Sequence, residues 1–96
     1  MINQHQKEIV LEHIKSLNPI KVAIFGSYAR GDNHEGSDLD VLVHLNYSYP
    51  TSLLKIAHVS QNLSGALGIP VDIVTEKSIS MHLRPHIEKD LIYIFQ

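Results

Sequence analysis

The chain predicts a small α+β domain, and three observations in its apolar pattern carry that prediction. Val10, Ile14 and Leu17, flanked by Ile9 and Leu11, recur at helical spacing near the start. Short apolar runs at 21–25, 38–45 and 70–75 have the length and character of strands. Between the last two, Leu53, Ile56, Ala57, Leu63 and Leu67 mark a second helix. The order is helix, strand, strand, helix, strand, then a mixed tail. No repeat, low-complexity stretch or linker divides it, so residues 1–96 are expected to form one domain.

Each element has its own start and stop. Residues from about Gln4 to Leu17 read as an amphipathic helix, which Asn18-Pro19 ends. Lys21-Val22-Ala23-Ile24-Phe25 reads as a buried strand stopped by Gly26. Ser27 to Arg30 has room for one helical turn, with Ser27 suited to cap it. Gly31 to Ser37 is polar, holds two glycines and reads as a loop. From Asp38 to Leu45 the pattern alternates: Asp38, Asp40, Leu42 and His44 share one face, and Leu39, Val41, Val43 and Leu45 share the other. Asn46 to Pro50 is turn-rich, and Gly68 suits the end of the second helix. Pro70 to Thr75 is a third strand. Leu83, Ile87 and Leu91 suggest a last helical piece interrupted near Pro85, and Ile92-Tyr93-Ile94-Phe95 a short closing strand.

Composition bounds the function. Apolar residues make up 44% and charged residues 19%, which fits a globular protein and not a disordered tail. No apolar stretch approaches the ~20 residues that span a bilayer. The N-terminus shows no basic segment followed by an apolar one, so a cytoplasmic location is expected. There are no cysteines, which excludes disulfides and thiolate metal sites. A formal net charge of −2 leaves no broad basic surface for duplex nucleic acid. An anionic substrate such as a nucleotide would need a metal or local backbone dipoles to neutralise it.

The most informative stretch runs from Gly26 to Asp40. A small-residue turn, Gly26-Ser27, follows one apolar run, and ten residues later a second run opens with Asp38 and Asp40. The turn permits close backbone approach to phosphate, and the acidic pair suits a divalent metal. Residues two apart on a strand lie on one face with Cα atoms ~6.6 Å apart. Asp38 and Asp40 can therefore converge on one or two ions, and two-metal phosphoryl chemistry uses ions ~3.5–4 Å apart. Mg²⁺ normally takes one or two carboxylates plus substrate phosphates. Asp72 is the candidate third carboxylate, because it sits in an apolar strand where an unpartnered charge is costly. An isolated Asp-x-Asp reads best as two solvated residues; the fixed Gly-Ser spacing, the apolar strand behind the pair and the third Asp shift the balance to function.

Near misses are excluded on residue type. Gly26 to Gly31 matches part of a P-loop, but Asp32 stands where its Lys belongs. The segment Asp32 to Gly36 has some features of a calcium loop, but its glycine comes one position early and Val43 replaces the bidentate Glu. The seven histidines form no zinc pattern; His82 and His86 are four apart, yet Pro85 lies between them. His44 shares the acidic face of its strand.

Phe25-Gly26-Ser27-Tyr28-Ala29-Arg30-Gly31 followed by Ser37-Asp38-Leu39-Asp40 resembles the signature of the nucleotidyltransferase superfamily: Gly-Ser, about ten residues, then Asp-x-Asp. Val71-Asp72-Ile73-Val74 resembles the later strand that supplies the third carboxylate, and the chain is similar in size to the minimal nucleotidyltransferase (MNT) family. The resemblance implies a mixed β-sheet with helices packed mainly on one face. It implies Asp38, Asp40 and Asp72 as the catalytic and metal-binding set, with two Mg²⁺ ions, and ATP held by Gly26 and Ser27. Ser27 offers a hydroxyl and a backbone N–H at the start of a helical turn, a favourable place for phosphate. Arg30 is a candidate phosphate partner, and equally a candidate for a surface salt bridge. The implied reaction is transfer of AMP from ATP to an acceptor hydroxyl, with release of pyrophosphate.

Minimal members of the family resemble antitoxins encoded beside a HEPN-type ribonuclease toxin, some of which adenylylate a tyrosine on that toxin. The implied role is the antitoxin of a type VII-like toxin–antitoxin pair, with the HEPN toxin as partner. A second reading is a binding antitoxin that masks its partner sterically. Retention of three carboxylates and the Gly-Ser turn favours the enzyme, since a steric inhibitor needs no metal site. A third reading, transfer to a small molecule or an RNA end, is disfavoured by the small chain and the missing basic surface.

Overall fold

Asn3 starts the first helix with a reciprocal cap: the Gln6 backbone N–H donates to its Oδ1 at 2.8 Å, and its own N–H donates to Gln6 Oε1 at 2.9 Å. The computed structural model describes residues 2–96. Helix α1 spans Gln4–Ile14 and tightens into a 3₁₀ turn over Lys15–Leu17. The helix expected to reach Leu17 thus changes pitch in its last turn, where Asn18 takes a left-handed conformation at φ 53° and its N–H donates to the Lys15 carbonyl. Asparagine tolerates that conformation, and Pro19 cannot continue a helix.

Strand β1 then runs over Pro19–Phe25, two residues earlier than the apolar run predicts. Its pairing slips between Pro19 and Lys21. The short helix α2 covers Ser27–Arg30, and β2 covers Leu39–Leu45. Helix α3, Leu53–Leu67, is capped by Ser52, whose Oγ accepts from the Lys55 N–H at 3.1 Å, and closes at Gly68 with φ +72°. Strand β3 is Val71–Thr75, α4 is Arg84–Glu88 and β4 is Ile92–Phe95. Pro85 sits in the first turn of α4, so it opens that helix and does not interrupt it. Leu91 consequently lies outside the helix.

The sheet has the order β3-β2-β1-β4 and is mixed, with β1 antiparallel to both β2 and β4, and β2 parallel to β3. A parallel pair needs a crossover, which α3 supplies. On one face, Val10, Ile14, Leu17, Val59 and Leu63 from the helices pack on Val22, Ile24, Leu39, Val41 and Val43. Each such full burial contributes about 1.5–3 kcal/mol, enough to seat α1 and α3 firmly on that face. The opposite face carries Asp38, Asp40, Leu42 and His44, as the alternation predicts. Ala23 and Leu42 on it are buried as well, and the segment 79–91 with α4 lies beside Leu42 and His44. The sheet is therefore helix-covered on one side and only partly roofed on the other. Among the described residues no helix is long and apolar enough to cross a membrane.

Candidate active site

Three strand ends and one turn bring the predicted residues together. Phe25, the last residue of β1, pairs with Asp40 near the start of β2, so Gly26 turns away right beside that carboxylate. Gly26 has φ +74° and ψ −154°, a region reached essentially by glycine alone. A Cβ built there would collide with Asp40 Oδ2 and sit 3.3 Å from its Cγ. Glycine is thus required twice, once for the backbone and once for the space the carboxylate fills.

The turn continues into α2, where the Ala29 and Arg30 N–H groups donate to the Gly26 carbonyl at 3.1 and 3.0 Å. Tyr28 anchors this turn by burying its ring in the main core. The Gly31 and Asp32 N–H groups both donate to the Ser27 carbonyl, closing the turn. The loop to β2 is tied by Ser37, whose Oγ accepts from the His34 N–H at 2.9 Å while its own N–H donates to the His34 carbonyl.

Asp72 stands directly beside Asp40, in register across the parallel β2–β3 pair. Neighbouring strands lie ~4.8 Å apart, so the two carboxylates rise from adjacent points of one face. Two residues that the sequence reading missed hold β3 in this phase. Ser60 Oγ donates to the Val71 carbonyl at 2.7 Å, and the Val71 N–H donates to Ser64 Oγ at 2.9 Å. Their spacing of four on α3 was the available signal.

The electrostatics follow from this crowding. Burial, then the charges of Asp72 and Asp38, push the Asp40 carboxyl up to about 6, while the Arg30 charge partly opposes them. Asp38 and Asp72 are exposed. The cost of desolvating an unpartnered charge, which the sequence reading assigned to Asp72, therefore falls on the half-buried Asp40. Arg30 is engaged within the chain: its Nε donates to Asp32 Oδ2 at 3.1 Å and its Nη1 to Asp90 Oδ2 at 2.9 Å. This geometry matches the salt-bridge alternative for Arg30.

Among the described residues, no group of three or more His, Cys, Asp or Glu side chains is closed into a metal-binding cluster. Three carboxylates repel one another when nothing neutralises them, and that repulsion adds to burial in raising the Asp40 carboxyl. As a donor set they suit a hard divalent ion, since every available ligand atom is a carboxylate oxygen. A surface cleft of about 460 Å³, lined by Leu11, Lys15, Pro19 and Phe95 among others, contains none of these residues. The chemistry is located by the acids and the turn, not by cleft size.

Residues 6–94 match the family model for the nucleotidyltransferase domain. A Methanocaldococcus jannaschii protein, provisionally named a protein adenylyltransferase, is 46% identical over 93 residues, covering 92% of this chain and 93% of that protein. The protein adenylyltransferase MntA of Thermococcus cleftensis is 32% identical over 74 residues, covering 77% and 73%. Among solved structures, one provisionally described as a minimal nucleotidyltransferase is 36% identical with a TM-score of 0.78, covering 93% of this chain and 89% of that one. The fold is also shared with a toxin–antitoxin crystal structure containing AMP-PNP, at TM-score 0.79 and 23% identity over 93% and 72% of the two chains. It recurs in a complex of a tri-AMPylated Shewanella oneidensis HEPN toxin with its MNT antitoxin, at TM-score 0.75 and 20% identity over 98% and 72%. With a family match across nearly its whole length, and with the Gly26-Ser27 turn packed against the acids of β2, this chain belongs to the nucleotidyltransferase domain family, in its minimal (MNT) form.

Proposed function

We propose that residues 1–96 form one unit acting as a Mg²⁺-dependent protein adenylyltransferase in the cytoplasm, where it neutralises a HEPN-type toxin by AMP transfer to a tyrosine hydroxyl. The observation that carries this reading is the packing of Gly26 on Asp40 with Asp72 in register beside it. That arrangement joins a phosphate-approach turn to an acidic cluster in one place. The names of the adenylyltransferase relatives support the reaction type, and the toxin–antitoxin assemblies that share the fold support the partner.

In this mechanism Gly26 and Ser27 lie along the triphosphate, with backbone N–H groups and the Ser27 hydroxyl as donors. Asp38, Asp40 and Asp72 would hold Mg²⁺, which when bound supplies charge neutralisation at the phosphates and orients the reacting oxygens. The acceptor oxygen bonds to the α-phosphorus, the bond to the β-phosphate bridge breaks and pyrophosphate leaves with that electron pair. The acceptor's proton passes to water by way of the carboxylate face. The exposure of Asp72 on the edge strand leaves that side open to an incoming hydroxyl.

The test is label transfer from α-phosphate-labelled ATP with Mg²⁺ into the protein encoded by the adjacent gene, with wild type beside Asp38→Ala/Asp40→Ala. Label on the partner with wild type alone is the expected result. That no three of these side chains close into a metal-binding group among the described residues is what favours the second reading, a steric antitoxin. Neutralisation of the toxin by the double variant, with no label in either case, would establish it.

A further inference from the structure

Ser60 and Ser64 stand one turn apart on α3, and both hydroxyls reach the backbone of a single residue, Val71. Val71 opens β3 and immediately precedes Asp72. We propose that the two serines are positioning residues for the reaction: by clamping Val71 they fix where Asp72 stands beside Asp40, and so set the affinity of the acids for a divalent ion. The assignment rests on the proposed function, in which Asp72 is a metal ligand.

Strand β3 is a five-residue edge strand, paired on one side only, with β2. On that inner side the Leu39 N–H donates to the Pro70 carbonyl at 2.8 Å. A trans peptide points its carbonyl and its N–H in opposite directions, so the Val71 N–H faces outward. Ser64 Oγ accepts it there at 2.9 Å. The Val71 carbonyl is held on the same side, where Ser60 Oγ donates to it at 2.7 Å. That carbonyl lies in the peptide plane that ends at the Asp72 Cα, so Ser60 fixes the plane from which the carboxylate side chain departs.

The clamp is itself anchored. The Ser64 hydroxyl donates to the Ser60 carbonyl at 2.9 Å, which uses its one proton and leaves its oxygen to accept from Val71. Val59 and Leu63, each one residue before a serine, are buried in the core and seat this stripe of α3. Partial burial of Val71 and Ile73 already selects the face that Asp72 takes, since a slip of one residue would turn it toward the helices. The fine placement of the strand is a separate matter, because the exposed Asp72 carboxylate has no packing of its own to fix it. Outer contacts that orient metal ligands typically carry about 10–100-fold in metal affinity.

The experiment titrates the full chain with Mg²⁺ by calorimetry and follows its melting midpoint, for wild type, Ser60→Ala/Ser64→Ala and Ser52→Ala. Ser52→Ala removes the N-cap hydroxyl of the same helix, about 12 Å along it from Ser60, and is the control for lost stability alone. The clamp variant is expected to bind Mg²⁺ about tenfold more weakly. Ser52→Ala is expected to melt earlier with Mg²⁺ affinity unchanged. In an Asp72→Asn background, removing the serines should weaken Mg²⁺ binding no further. Should the double alanine variant fail to fold, Ser60→Ala alone carries the test, with a loss in the same direction. Unchanged Mg²⁺ affinity in a folded clamp variant overturns the assignment, as does an equal loss in Ser52→Ala or a further loss beside Asp72→Asn. Wild type that binds no Mg²⁺ removes the metal set itself, and this assignment with it.

Discussion

Asp40 places its carboxylate in the space that a side chain on residue 26 would occupy. The Gly-Ser turn and the first strand acids are thus one packed unit, and each residue depends on the size of the other.

Gly26→Ala tests that dependence. The substitution adds a Cβ at φ +74° and drives it into the Asp40 carboxylate. Strain of this kind costs about 1–3 kcal/mol, so the melting temperature should fall by roughly 5–20 °C for a domain of this size. Combining it with Asp40→Ala should recover the part due to collision and leave the backbone strain. Additive losses in a denaturation cycle would show that the two residues do not press on each other.

Asp40 also predicts a pH dependence. Its carboxyl is pushed from the usual 3.8 up to about 6 in the folded chain, so between those values the folded state binds more protons than the unfolded one. Stability from this group is therefore fully present below about pH 4 and is lost as pH rises through about 6. The group is only half-buried, and solvent screening reduces the effect to about 1 kcal/mol. Denaturant titrations in chelator at pH 4 to 7 should show Asp40→Asn gaining on wild type across this interval. A constant difference at every pH would refute the assignment.

Divalent ions should reverse that repulsion. An ion supplied at ten times its dissociation constant stabilises the chain by about 1.4 kcal/mol, a shift visible in a melting curve. Mg²⁺ is expected to raise the midpoint of wild type, and chelator to remove the gain. Asp40→Asn and Asp72→Asn should each lose most of the shift. A shift of equal size in Asp72→Asn would take that residue out of the metal set.

Arg30 and Asp90 separate structural from substrate roles. Their ion pair, at 2.9 Å, ties α2 to the turn before β4, and the Asp90 side chain is 13% exposed. Asp90→Asn should lower the melting temperature and leave nucleotide affinity intact, because it releases Arg30 Nη1 while Asp32 still holds Nε. Arg30→Ala should lower the melting temperature as well, since it removes both ion pairs. A large additional loss of ATP affinity in Arg30→Ala alone would make Arg30 a phosphate partner.

Much of the architecture was legible because it depends on local period. The alternation from Asp38 to Leu45 marks both faces of β2, and Leu53 to Leu67 runs as one helix because Ser52 and Gly68 bracket it. Boundaries moved where a conformational detail intervened: Pro19 is incorporated into β1 at the cost of a register slip, and Pro85 opens α4 instead of breaking it. Within the candidate site, Gly26, Ser27, Asp38, Asp40 and Asp72 could be picked out because their chemistry recurs at a spacing that a strand and a turn dictate. Ser60, Ser64 and Asp90 stood out less, since each acts through a partner, Val71 or Arg30, that only the packing of α3 beside β3 and of the turn before β4 beside α2 brings within reach.

By itself the sequence determined the α+β class, the strand that carries the acids and the turn that precedes it, because these follow from periods of two and 3.6 residues and from the freedom of glycine. Only the tertiary structure decided which carboxylate bears the burden. Asp40 lies on a central strand, walled by the Gly26 turn and flanked by Asp72, while Asp72 lies on the sheet edge in water. Desolvation depends on what packs around a residue from every side, and strand order supplies that, not the identity of the neighbours in the chain.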